Sequence, residues 1–308
     1  MKPTRLFILT LLAMIAFAGN SLLCRLALKQ TSIDAASFTF IRIFSGATAL
    51  WFIIKIRRKL MVDRAALPFV DMFSDSSLAT RHLSLQRAGN WPSALALFAY
   101  AAAFSFAYNS LSAGTGALLL FGAVQATMIF WGLRKGEWLH ARQLAGLAVA
   151  VSGLVVLLFP GLSAPPFGGS TLMLGAGMAW GIYSLRGKQS GNAVAATAGN
   201  FLRAVPLAAI VSMILLPWAH LDRAGIGYAV LSGAIASGVG YVIWYTALPD
   251  LKAASAATVQ LSVPVLAATG GILLLGEPLT LRFLFASVAV LGGVALVVVS
   301  PFRRKAGP

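Results

Sequence analysis

Two arginines stand where arginine is costly. Arg42 lies about two turns inside an otherwise uncharged stretch, and Arg203 does the same in a second one. An arginine at the middle of a membrane span costs about 2.5–3.5 kcal/mol on insertion scales, so its presence needs a reason. One reason is chemical: a guanidinium in apolar surroundings is a ready contact for the carboxylate of a solute. The other is structural: the side chain snorkels, or satisfies carbonyls at a helix end. The two arginines hold matching places in a repeated pattern described below. That favours the structural reading, because a repeat preserves packing more readily than an asymmetric solute contact.

Polar and aromatic residues form a second set. Phe17, Asn20 and Cys24 share one helix face at spacings of three and four. Tyr100, Phe104 and Tyr108 make a stripe at i, i+4 and i+8; Trp180 pairs with Tyr183; Tyr241, Trp244 and Tyr245 cluster further on; and Ser255, Thr258, Gln260 and Ser262 precede Pro264. A cavity lined by Tyr, Trp, Asn and Gln suits a zwitterion with an apolar body. The rings offer area and cation–π attraction to an ammonium, and buried amides want polar partners. The candidate substrate-binding residues are Asn20, Tyr100, Tyr108, Trp180, Tyr183, Trp244, Tyr245 and Gln260, with Arg42 and Arg203 as carboxylate contacts or structural residues. The competing reading is packing, since aromatics at helical spacing fill cores and Trp and Tyr form interfacial belts. Catalysis finds no residues: there is no Ser/His/Asp or Cys/His constellation, no metal-ligand spacing and no phosphate-binding glycine loop. No cofactor or metal is expected.

These residues must be positioned by elements that the composition already restricts. The chain has 308 residues, of which 59% are apolar and 10% charged, and its mean hydropathy is +0.85. A soluble domain carries about 25% charged residues, so soluble enzymes and disordered chains are poor readings. The single cysteine, Cys24, excludes an internal disulfide. Uncharged or nearly uncharged runs give spans at 6–24, 35–54, two within 88–133, two within 143–185, then 195–216, 224–249, 253–276 and 283–302. The fold class predicted is an all-α integral membrane protein of ten transmembrane helices. With both termini inside, eighteen Lys and Arg fall on the inner side and four (Arg25, Lys29, Arg223 and Arg282) on the outer. That is a strong positive-inside bias, and it accounts for the net charge of +16 without nucleic acid. A long cytoplasmic loop, about 57–90, holds Asp63, Asp71 and Asp75, three of the eight acids.

The two halves resemble each other. Gly136–Glu137 matches Gly276–Glu277, Arg142 matches Arg282, Gly153 matches Gly293, Phe40-Ile-Arg42 matches Phe201-Leu-Arg203, and Tyr108 matches Tyr245. An odd number of helices per unit inverts the second unit, which gives an inverted repeat of five plus five helices over residues 1–160 and 170–302. Phe-x-Arg early in the second helix of each unit, Gly-Glu after the fourth, and Trp180-Gly-Ile-Tyr183 together resemble the drug/metabolite transporter superfamily, EamA type. Within it the chain is most similar to the aromatic amino-acid exporters of the YddG type. The resemblance implies a bacterial inner-membrane secondary transporter that exports amino acids and related metabolites by alternating access, as a monomer or weak dimer among lipids, with no nucleic acid partner.

Other readings remain open. A carrier of phosphorylated or nucleotide-sugar-like solutes would want a deep basic cluster, and a carrier of drug-like cations a central carboxylate. A lipid enzyme would want an acid, base or nucleophile array near the interface. No Asp or Glu falls at a span centre, and His82, His140 and His220 fall in loops, so transport is not expected to require a proton gradient. The orientation is checked by Ser76→Cys and Ser163→Cys, each in a Cys24→Ala background, labelled in intact cells with an impermeant thiol reagent. Position 163 is expected to label and position 76 to stay protected; the reverse pattern overturns the orientation.

Overall fold

The computed structural model describes residues 3–65, 88–138, 140–159, 164–187, 192–251, 259–299 and 303–304. Among these residues ten long helices follow one another, with short 3-10 turns at Leu216–Trp218 and Leu248–Asp250: α1 (Pro3–Gln30), α2 (Ala35–Ala65), α3 (Trp91–Ala107), α4 (Ala113–Arg134), α5 (Ala141–Leu158), α6 (Phe167–Gly187), α7 (Ala193–Ile214), α8 (Arg223–Ala247), α9 (Ser262–Leu275) and α10 (Leu281–Val299). Six are long and apolar enough to cross a membrane: α1, α2 over Ala35–Ile56, α4, α5, α7 and α8. Helices α3, α9 and α10 are apolar and shorter. Large apolar side chains such as Phe7, Phe52, Val155, Met213, Leu273 and Phe285 lie exposed on the outside. Water tolerates no such continuous apolar surface on a monomer, whereas hydrocarbon covers it at no cost.

Short polar residues start the helices where an apolar run begins. The side chains of Asn90, Ser112, Asn192 and Asp222 accept from backbone N–H groups three residues on, at the starts of α3, α4, α7 and α8. Each satisfies a donor that the first turn would otherwise leave unpaired. Asp34 does the same for α2 and also accepts from the backbone N–H of His220, which ties the α1–α2 turn to the loop before α8. Burial pushes the Asp34 carboxyl up, but hydrogen bonds from Ser37, His220 and Ala36 outweigh it and hold the group below its usual range.

The helical class holds, with two differences of detail. The loop placed at about 57–90 starts later, because α2 stays helical through Ala65; residues 66–87, with Asp71 and Asp75, lie outside the described residues. The other is a two-residue ladder beside the helices: Glu137–Trp138 pairs antiparallel with Arg303–Arg304. This two-residue ladder joins the end of α4 to the chain beyond α10, where no apolar periodicity remains to dictate a helix.

Helix α1 packs on α8 and α9, α2 on α7 and α8, α3 on α6 and α7, and α4 on α6 and α9, while α5 and α10 form a close pair. In α8 the nine residues Leu231–Val239 wind as a π-helix. Such a wide turn is rare and marks places where side chains must be re-aimed. It lies flat on α2: a Cβ at Gly233 would run into the Arg42 carbonyl and the Ser45 hydroxyl.

The α5–α10 pair rests on backbone contact. A Cβ at Gly146 would stand 2.6 Å from the Gly293 carbonyl oxygen, and one at Gly293 would meet the Gly146 carbonyl in turn. Small residues of this kind let membrane helices approach closely. Gly293→Leu is expected to force the helices apart at a cost of about 1–3 kcal/mol and to lower the thermal midpoint of the detergent-solubilised protein. Gly292→Leu is the control, since a Cβ there meets nothing within 4 Å. Equal midpoints for the two variants would overturn the close-contact account.

Candidate functional site

Four helices bring polar and aromatic groups together near mid-length. The Ser232 hydroxyl, in the π-wound part of α8, donates to Asn20 Oδ1 on α1 at 2.6 Å. Asn20 Nδ2 donates to the Tyr100 hydroxyl on α3 at 3.1 Å, and Arg42 Nη2, from α2, donates to the same hydroxyl at 3.0 Å. Arg42 is 2% exposed. Its guanidinium lies over the rings of Tyr100 and Phe104, 5.2 and 4.8 Å from their centroids. Its Nη1 has no hydrogen-bond partner, and no carboxylate among the described residues pairs with it. This is a buried cation held by one hydroxyl and two ring faces.

The rings continue from there. Tyr100 contacts Trp180 of α6 at 4.9 Å between centroids, and Trp180 meets Tyr241 of α8 at 5.1 Å. Phe17 of α1 closes the group, edge-on to Trp180, Tyr241 and Trp244. Phe17, Asn20, Tyr100, Phe104, Trp180 and Tyr241 line a cavity of about 20 Å³. That is room for about one water molecule, so the cluster is closed around no larger solute.

The sequence-derived candidates divide accordingly. Asn20, Tyr100 and Trp180 line the cavity. Trp244 is buried and touches it through Phe17. Tyr183 stands behind Trp180 at 5.5 Å and donates to the Thr197 hydroxyl. Tyr108 lies further along the α3 stripe and donates to the Ala113 carbonyl. Tyr245 packs against Gly187. Gln260 is buried just before α9 and is not a lining residue; Ser255 and Thr258 of its expected polar face lie outside the described residues. The site gains Tyr241, which the candidate set lacks. Its place three residues before Trp244 was the available signal, and the π-wound turn that aims it was not visible in the sequence.

The two intramembrane arginines differ. Arg203 Nη1 donates to the carbonyls of Ala88 and Gly199 at 2.7 and 2.9 Å, which is the carbonyl-capping role. Arg42 caps no carbonyl among the described residues.

Polar contacts tie the bundle on either side of the cluster. On one side, Glu277 between α9 and α10 is 7% exposed and accepts from Arg25 Nε at 3.1 Å and from the Ala113 N–H at 2.8 Å. Arg25 Nη1 also donates to the Tyr108 carbonyl at 2.7 Å, and Lys29 Nζ to the Leu275 carbonyl at 3.2 Å. These bonds link α1, the α3–α4 turn and the α9–α10 loop beside a cavity of about 180 Å³. On the other side, Arg186 donates to the Ser93 hydroxyl and to Asn90 Oδ1, and the Asn90 N–H donates to Asn200 Oδ1. There the links join α3, α6 and α7.

Comparison with known proteins places the chain beside transporters. Residues 167–299 match the EamA-like transporter family. An uncharacterized protein of Pseudomonas aeruginosa is 52% identical over 99% of both chains. A probable amino-acid metabolite efflux pump of Escherichia coli is 29% identical over 67% of this chain and 75% of its own. A solved crystal structure aligns with a TM-score of 0.59 over 94% of this chain and 98% of its own, at 17% identity, a likeness of fold.

The Glu277 contacts carry a stability prediction. Glu277→Ala strands the Arg25 Nε–H and the Ala113 N–H, and each hydrogen bond to a charged group is worth about 1.5–3 kcal/mol. The thermal midpoint is expected to fall clearly in Glu277→Ala and by less in Glu277→Gln, which keeps an acceptor in place. No fall in either variant would overturn the role of this carboxylate.

Proposed function

The chain belongs to the EamA-like transporter family, and on that premise we propose that it is a secondary exporter of amino acids and related metabolites across the bacterial inner membrane. Ten transmembrane helices form two inverted five-helix units, over residues 1–160 and 170–302, and the family match at 167–299 supports the second of them. Both termini face the cytoplasm, in keeping with the distribution of basic residues. The solute site is the aromatic and polar cavity, lined by side chains of α1, α3 and α4 from one unit and α6 and α8 from the other. Inverted-repeat carriers place their sites at such a meeting of units.

One observation carries this reading: a closed polar–aromatic cavity between the two halves, tied by hydrogen bonds on either side. A cavity of about 20 Å³ admits a solute only when one set of ties releases, which is the step alternating access supplies. The efflux-pump relative supports amino-acid-like cargo, and the rings favour an aromatic or apolar body. Drug-like cations are disfavoured, since the cavity lining holds no carboxylate. Asn20 acts by holding Tyr100 and Ser232 in place, because its amide is engaged by both.

Counterflow in proteoliposomes tests the site. Trp180→Ala is expected to reduce exchange of bulky aromatic amino acids more than that of small ones, because it removes stacking area. Asn20→Ala is expected to weaken transport about tenfold or more, the equivalent of about 1.4 kcal/mol. Trp51 is 37% exposed with Lys55 over its ring at 4.9 Å, so Trp51→Ala is the control. Equal losses in Trp51→Ala and Trp180→Ala, irrespective of solute size, would make the cluster packing.

A further inference from the structure

We propose that the site recognises its solute by the carboxylate and is indifferent to the amino group, so that the substrate class is monocarboxylates with an aromatic or apolar body, amino acids being one part of it. This rests on the cavity reading above and narrows it.

Donors and acceptors around the cavity are unequal in number and charge. Tyr100 Oη already accepts two hydrogen bonds, from Asn20 and from Arg42, and keeps one proton to donate. Asn20 spends its Oδ1 on Ser232 and an Nδ2 proton on Tyr100. Arg42 Nη1 has no partner at all. A guanidinium carries five N–H donors and accepts nothing. The unanswered charged donor is the Arg42 guanidinium, whereas the acceptors with capacity left are Asn20 Oδ1 and the hydroxyls of Ser21 and Tyr241, which line the cavity and can donate as well. A carboxylate, which only accepts, meets the charged donor and can take those hydroxyl protons; an ammonium, which only donates, leaves the guanidinium unanswered.

Charge points the same way. A buried arginine without a counter-ion is costly, and none of Asp34, Asp222, Asp250 or Glu277 lies on the cavity. Arg42 stands directly behind the Tyr100 and Phe104 rings that wall the cavity. A solute that parts those rings brings its anionic head to the unpartnered nitrogen and its apolar body against Phe17, Trp180 and Tyr241. An ammonium entering the same space finds the like charge of Arg42 beside neutral oxygens and ring faces, so a zwitterion gains chiefly from its carboxylate end. By symmetry of position Arg203 would be the alternative anion contact, but its Nη1 is engaged by the Ala88 and Gly199 carbonyls.

The test uses the full chain in proteoliposomes and one aromatic body with varied head groups: phenylalanine, phenylpyruvate, 3-phenyllactate, phenethylamine and phenylalaninamide. Each is assayed for trans-stimulation of a labelled partner and for thermal stabilisation of the purified protein in detergent. The two acids that lack the amine are expected to act within about threefold of phenylalanine, while the amine and the amide are at least about tenfold weaker. Arg42→Gln is expected to erase the preference for acid over amide, and Arg42→Lys to keep part of it. If Arg42→Gln does not fold, the wild-type panel and Arg42→Lys decide.

Phenethylamine or the amide equalling the acids, retention of the acid preference in Arg42→Gln, or no response to any acid would each overturn the proposal. A response to phenylpyruvate and phenyllactate with none to phenylalanine would overturn the indifference to the amino group and the amino-acid reading with it, and leave carboxylate recognition standing. Responses to all three acids together uphold both.

Discussion

The Tyr100 hydroxyl is the point on which the centre of this protein depends. It receives hydrogen bonds from Asn20 on α1 and Arg42 on α2 while its ring, on α3, lies against Trp180 of α6. In hydrocarbon each of those polar groups would cost several kcal/mol if left alone. Brought to a single oxygen, they instead fix the mutual positions of three helices. The Ser232 contact extends the chain to α8, so the hydrogen-bonded line crosses from one half of the sequence to the other.

That line depends on backbone contacts that leave no room for side chains. Gly233 lets the π-wound turn of α8 touch the Arg42 carbonyl, and the same turn presents Ser232 to Asn20 and Tyr241 to Trp180. An ordinary α-helix through Leu231–Val239 would rotate everything beyond it relative to what precedes it. The wide turn is thus what lets a hydroxyl at its start and a ring at its end serve the same cavity.

The proposed repeat mates have taken different parts. Arg203 satisfies two carbonyls, and its neighbourhood is complete without a solute. Arg42 sits over two rings with a nitrogen unanswered. Glu277 likewise gathers Arg25 and the start of α4. A repeat copies the backbone course, but each copy meets different neighbours, and an asymmetric cargo needs the two sides to differ.

Much of the scaffold was legible from one dimension. Apolar runs marked where the helices lie, although α1 and α2 run on past theirs to Gln30 and Ala65, and the short polar residues at 90, 112, 192 and 222 mark starts because a cap acts over only three residues. The aromatic stripe at Tyr100, Phe104 and Tyr108 follows from helical spacing alone, and so does the presence of two arginines inside apolar runs. The sequence could not say which arginine would be left unpartnered, and the matching positions of Arg42 and Arg203 pointed toward the same role for both. The partner of Arg42 and one of the two named for Arg203 lie far along the chain, Tyr100 being 58 residues from Arg42 and Ala88 being 115 from Arg203. Local periodicity carries no information over such distances. Gln260 shows the same limit: its polarity in an apolar run was visible, but its distance from the cavity was not. Tertiary packing decided these matters, because it determines which acceptor reaches a buried donor and which donor is left for a ligand to satisfy.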